Sequence, residues 1–92
     1  MIRYYVCGLG YDEDGGANDY EVFFGDFDTC EEAYELLDEL EEKDSESFFT
    51  DAPNIYEIAI RLEECEETEE ETECIDVLDE FSIINPNFEE EI

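Results

Sequence analysis

The chain has no histidine, and only three cationic side chains, Arg3, Lys43 and Arg61, stand against 32 acidic ones. Without histidine there is no imidazole to ligate zinc and none to act as base for a cysteine nucleophile. The four cysteines, Cys7, Cys30, Cys65 and Cys74, fall into no C-x-x-C spacing, which argues against a structural zinc site. No apolar run is long enough to span a bilayer, and the N-terminus has no basic-then-apolar signal segment. A cytoplasmic location with reduced thiols is therefore expected. A chain so poor in cations has no clamp for an anionic substrate, and it is a poor direct binder of nucleic acid or of an anionic membrane. Nucleophile-elbow and phosphate-loop motifs are missing. Carboxylate pairs occur throughout, so the presence of two carboxylates carries no sign of acid–base catalysis, which needs a pair set apart by different environments. These absences together point away from an enzyme: no catalytic residues, no cofactor and no metal ligands are expected.

What is present is a foldable composition under a heavy charge. Of the 92 residues, 42% are hydrophobic and 14% aromatic, too rich for a disordered acidic tail. One domain with a modest core is expected, covering residues 1–84 and followed by an acidic C-terminal tail, 85–92. The formal net charge is −29, which loads the compact state with self-repulsion. Area scaling gives a folded surface of roughly 5,500 Å², or about one net charge per 190 Å². Duplex DNA, taken as a cylinder about 20 Å across, carries roughly one per 100 Å². Acids crowded onto one face therefore approach the charge density of DNA.

The stretch that organises the chain is Thr29 to Lys43, TCEEAYELLDELEEK. Thr29 followed by Glu32 is a capping-box signature, and Cys30, Ala33, Leu36, Leu37 and Leu40 recur at three- and four-residue steps. That spacing predicts one amphipathic helix whose apolar stripe must be buried. Its other side carries Glu31, Glu32, Glu35, Asp38, Glu39 and Glu42. The pairs Glu31/Glu35, Glu35/Glu39 and Asp38/Glu42 are like-charged at i,i+4 and mildly destabilising. Stability alone does not account for such a face.

Strands are predicted around the helix. Ile2–Leu9 is dense in β-branched and aromatic residues, and both its faces are largely apolar, as suits an interior strand. The Gly, Asn and Asp content of Gly10–Asp19 reads as a turn, and Tyr20–Phe24 as the second strand of a hairpin. Asp44–Asn54 is a connection, and Ile55–Leu62 alternates cleanly as a strand. Glu63–Glu73 holds eight glutamates in eleven residues and reads as a low-complexity acidic loop. Cys74–Leu78 is the returning strand. The conformation of Phe81–Ile84 is left open, and Asn85–Ile92 is expected to fray or lie on the surface. The fold class is α+β: a four-stranded, mainly antiparallel sheet with one helix packed on one face, in the order ββαββ.

Three local features have a chemical and a plain reading. Asp12, Asp14 and Asp19 suggest a calcium loop, but an EF-hand starting at Asp12 needs glycine and glutamate where Ala17 and Phe23 stand. A solvated hairpin turn is the better reading. Cys65 and Cys74 flank the acidic segment and are compatible with a disulfide across a hairpin; free, partly buried thiols are favoured. Phe48 and Phe49, beside Asp44, Glu46 and Asp51, are either an aromatic anchor for a partner or a plug for one end of the core.

In size, charge and acid-bearing segments such as EEAYELLDELEE and EECEETEEETEC, the chain resembles the small acidic DNA-mimic proteins of phages and mobile elements. Members of that class block restriction enzymes or CRISPR effector complexes. The resemblance implies an anti-CRISPR or anti-restriction inhibitor, working in the host bacterial cytoplasm, that occupies the nucleic-acid groove of a basic DNA- or RNA-binding protein. The residues expected to meet that partner's arginines and lysines are Glu31, Glu35, Asp38, Glu39 and Glu42 of the helix. Glu66, Glu67, Glu69, Glu70 and Glu71 of the acidic segment are expected to join them. An acidic adaptor or chaperone for a basic cellular protein is the alternative. Halophilic surface hydration ranks lower, given the aromatic content and 22 glutamates against 10 aspartates.

Overall fold

The helix forms where its cap and its apolar stripe coincide. In the computed structural model, which describes residues 1–88, α1 spans Cys30–Glu42 with Thr29 as its N-cap. The Glu32 amide donates to the Thr29 hydroxyl oxygen at 3.3 Å, and that hydroxyl donates to the Glu32 carboxylate at 3.0 Å. Glu32 thus reaches back to the hydroxyl of the cap. Ala33, Leu37 and Leu40 are buried, and α1 lies against β1 (Ile2–Tyr11), β2 (Ala17–Phe27) and β3 (Glu57–Glu67). A fourth strand, β4, runs Thr72–Ile84, and a single-turn helix, α2, spans Ser45–Phe48.

All four strands form one antiparallel sheet in the order β2-β1-β3-β4. β1 is interior, as its two apolar faces predict. The face under α1 carries Val6, Ile58, Ile60 and Leu62, all essentially inaccessible to solvent, with Gly8 opposite Ile60. A Cβ at Gly8 would lie 2.9 Å from Val22 and 3.1 Å from Ile58, so glycine lets those side chains close over the strand. Phe48 and Phe49 are both buried at one end of this core, with Phe48 edge-on to Phe24 at 6.2 Å between ring centres. They plug the core and are not available as an exposed anchor.

The bounds of several expected elements change. The segment Glu63–Glu73 is no loop: β3 continues through Glu67, Thr68–Glu71 turn, and β4 starts at Thr72. Strand pairing is a backbone matter. Glu63, Glu64 and Glu66 sit on rungs opposite Tyr5, Tyr4 and Ile2 of β1, so the ladder runs on after the apolar side chains stop. Phe81–Ile84 belongs to β4, with Phe81 opposite Ile60 and Ile83 opposite Ile58. The hairpin turn expected over Gly10–Asp19 is shorter, because β1 runs on to Tyr11 and β2 starts at Ala17. The Asp12 amide donates to the Gly16 carbonyl at 2.8 Å, Gly15 takes φ +85°, and Asp12 and Asp14 accept hydrogen bonds from Asn18 and Gly16 within that turn.

The chain beyond β4 is tied down through Asn85, which is 6% exposed. Its amide nitrogen donates to the carbonyls of Ile55 at 2.9 Å and Pro53 at 3.2 Å, and its backbone N–H donates to Tyr56 at 2.8 Å. Phe88 meets the Tyr56 ring edge-on at 5.3 Å. Asn85, expected in a surface tail, is thus held in the fold, while Pro86 and Asn87 are exposed; residues 89–92 lie outside the described residues. Replacing Asn85 with alanine leaves the buried Ile55 carbonyl unpaired, at a cost of about 1–3 kcal/mol. Urea unfolding of Asn85→Ala is expected to show a lower midpoint with an unchanged slope.

Candidate functional site

The few positive charges decide where negative charge is left uncompensated. Arg3, on the sheet face away from α1, donates from Nε to Asp26 at 3.0 Å. The same guanidinium meets Asp28 and, at 3.6 Å, Glu67. Arg61 donates to Glu80, its cross-strand partner, at 2.7 Å. The N-terminal ammonium pairs with Glu66 at 2.8 Å. Lys43 stands over the Phe48 ring, 5.5 Å from its centre, in a cation–π contact. Each cation is thus occupied within the sheet or beside the core end.

The ten acids expected at the partner surface therefore divide. Glu31, Glu35, Asp38, Glu39 and Glu42 are all exposed on α1. Among the described residues, none of these five carboxylates has an ion pair or side-chain hydrogen bond. Glu41, not among the expected ten, is exposed on the same helix. Glu66 and Glu67 are committed internally: Glu66 to the N-terminus, Glu67 to Arg3 and to the Tyr5 hydroxyl, which donates to it at 2.8 Å. That hydrogen bond is the chief reason the Tyr5 phenol is held above its ordinary pKa. Glu69, Glu70 and Glu71 are exposed at the β3–β4 turn. The turn is closed by the Thr68 amide and hydroxyl, which donate to the Glu71 carbonyl at 2.9 and 3.0 Å.

Of the two remaining acidic groups, only the first turn of α1 lies toward the end of the sheet from which the β3–β4 tip projects. β2 ends at Phe27 opposite Tyr4, and Tyr4 pairs with Glu64 on β3. The first turn of α1 follows that rung directly, and the hairpin tip extends beyond it. From there α1 runs back along the sheet for 13 residues, about 20 Å at 1.5 Å per residue. The described acids of β4, among them Glu73, Asp76 and Asp79, are also exposed. Sequence periodicity did not single them out, because the strand is marked by backbone pairing and not by apolar alternation.

The face of the sheet away from α1 holds a second arrangement. Cys65 and Cys74 are opposite one another on the β3–β4 ladder, and both are free thiols, Cys65 buried and Cys74 exposed. Their sulfurs and a Glu63 carboxylate oxygen lie within 4.8 Å of one another, beside a cleft of about 250 Å³ whose other wall includes Tyr5, Cys7, Glu21 and Phe23. Burial, with Glu63 nearby, pushes the Cys7 thiol up to about 11; burial, with Cys74 and Glu63 nearby, pushes Cys65 up to about 12. Register, not sequence spacing, brings these donors together.

The surface totals 6179 Å², and the net charge is −29, or about 213 Å² per charge. The average is about half the density of duplex DNA, so a polyanion-like surface requires local crowding such as that on α1. No helix of the described residues is long and apolar enough to cross a membrane. Comparison with protein-family models, curated proteins and solved structures found no match.

Two outcomes follow from this charge arrangement. Glu35→Lys replaces two repulsive i,i+4 pairs, with Glu31 and Glu39, by two attractive ones, for a gain of about 1 kcal/mol at low salt. Thermal melts are expected to show that gain and its shrinkage in high salt. The half-buried Cys7 and the buried Cys65 stay protonated where the unfolded chain ionises near the ordinary value of 9.0. Their contribution to stability is therefore complete below about pH 9 and is lost as pH rises toward about 12. Urea midpoints measured upward from about pH 8 are expected to fall through that window, and less steeply in Cys7→Ala.

Proposed function

We propose that this protein is a DNA-mimic inhibitor of a bacterial defence system, and that the outward face of α1 occupies the nucleic-acid groove of a CRISPR effector or restriction enzyme. The observation that supports the reading most strongly is the set of five exposed carboxylates on α1, without ion pairs among the described residues, in a protein whose cations are all occupied elsewhere. Neighbouring acids on such a helix face repeat at about 6 Å, a spacing similar to that of phosphates along one nucleic-acid strand. The helix is held from below by Ala33, Leu37 and Leu40, so the array is presented in a fixed geometry. The long dimension of the molecule, 48 Å, matches about 14 base pairs at 3.4 Å each.

Glu69, Glu70 and Glu71, exposed at the β3–β4 turn, add to the attraction that draws a basic partner in. Glu66 and Glu67 leave the proposed contact set, because binding through them would break the pairs that hold the N-terminus and Arg3. Association displaces counterions from both surfaces, so affinity falls steeply with salt, as it does for DNA. An acidic adaptor would use the same carboxylates but would take several basic partners alike.

The test is capture from bacterial lysate at moderate salt, followed by challenge with duplex DNA. Capture of a DNA-handling nuclease or CRISPR effector that DNA displaces is expected. Retention of many basic proteins with similar affinity would instead establish the adaptor reading. For the captured target, Glu35→Lys/Asp38→Lys/Glu39→Lys is expected to weaken binding by about 100-fold or more, roughly 3 kcal/mol at 1.4 kcal/mol per decade. Unchanged affinity of that variant would remove α1 from the site.

A further inference from the structure

We propose that Glu63, Cys65 and Cys74 form a binding site for one thiophilic divalent cation, of the zinc and cadmium class, on the sheet face away from α1. The donor atoms come from neighbouring strands: Cys65 and Cys74 are partners on one rung, and Glu63 lies two residues before Cys65 on the same face. The three ligand atoms lie within 4.8 Å of one another. A tetrahedral centre with metal–sulfur bonds of about 2.3 Å needs its donors about 3.7 Å apart, so a contraction of about 1 Å completes the geometry. Both outer donors can supply it. Cys74 is exposed, its thiol donating to the Asp76 carbonyl at 3.8 Å, and Glu63 is only partly buried. Cys65 is buried at 3% exposure and supplies the fixed corner.

The chemistry of the donor set selects the ion. Two sulfurs and one carboxylate suit zinc or cadmium and are wrong for calcium and magnesium, which take all-oxygen shells. On binding, each thiol gives its proton to solvent and each thiolate donates an electron pair to the metal, so one M²⁺ replaces two H⁺. The remaining coordination position opens on the cleft that Cys7 and Glu21 line, where water completes the shell. The ion would clamp β3 to β4 next to the turn that carries Glu69, Glu70 and Glu71, and the site is independent of the α1 face.

The same surface holds many carboxylates, so the experiment must separate sulfur ligation from diffuse attraction. Cd²⁺ is titrated into the full chain kept reduced with a phosphine, with excess Ca²⁺ present to occupy oxygen sites, and thiolate-to-metal charge-transfer absorption is followed in the ultraviolet. Saturation at one equivalent is expected, together with a rise in melting temperature. Cys74→Ser, an exposed position where folding is retained, is expected to lower the affinity by about 100-fold and remove most of the absorption. Glu63→Gln should weaken binding by about tenfold, and Cys30→Ser and Glu35→Lys should leave it unchanged. The site is refuted if no charge-transfer band develops, if Ca²⁺ abolishes it, or if Cys74→Ser, shown folded by circular dichroism, binds Cd²⁺ as the parent does.

Discussion

Charge imbalance is the constraint on which the rest of this structure depends. With 32 acids and three cationic side chains, no arrangement can pair every carboxylate, and the placement of the cations fixes where repulsion is relieved. Arg3 gathers Asp26 and Asp28, at and just beyond the end of β2, with Glu67 of β3. It thereby holds the end of the sheet where the acidic hairpin leaves the core. Arg61 joins β3 to β4 through Glu80. Both lie where strands bearing acids run side by side, and there they offset part of the repulsion across the ladder. The helix receives no such relief, and its fold is sustained from the other side by burial of Ala33, Leu37 and Leu40.

Much of the architecture was legible because two patterns were undiluted. Thr29 with Glu32 and the three- and four-residue apolar steps located α1, and the alternation from Ile55 to Leu62 located β3 and its core face. The same logic failed from Glu63 onward. A run of glutamates carries no apolar alternation, yet alternate residues still take alternate faces: Cys65 is buried between partly exposed glutamates, and each rung is held by backbone bonds to β1 and β4. Asn85 was illegible for another reason. Its role comes from carbonyls 30 and 32 residues away, and no local pattern encodes a partner at that distance.

The candidate site was legible in part for related reasons. Helical periodicity put five acids on one exposed face, where the structure also has them. Composition alone grouped Glu66 and Glu67 with Glu69, Glu70 and Glu71, although the first two are consumed by the N-terminus, Arg3 and Tyr5. Spacing also concealed the meeting of Cys65, Cys74 and Glu63, because the nine-residue separation of the cysteines matters only once the hairpin register is set. The extended β3–β4 hairpin carries a physical consequence as well. Its tip acids sit on a closed turn, so they are offered to a partner with less ordering still to be done than a flexible loop would require.

The most direct test of the acidic-helix account is carboxylate footprinting of the protein free and bound to its captured target, with carbodiimide-coupled labels read residue by residue. The account requires strong protection of Glu31, Glu35, Asp38, Glu39 and Glu42 on binding. Protection confined to the opposite sheet face, at Glu21, Asp26 and Glu80, with the helix labelled as in the free protein, would contradict it.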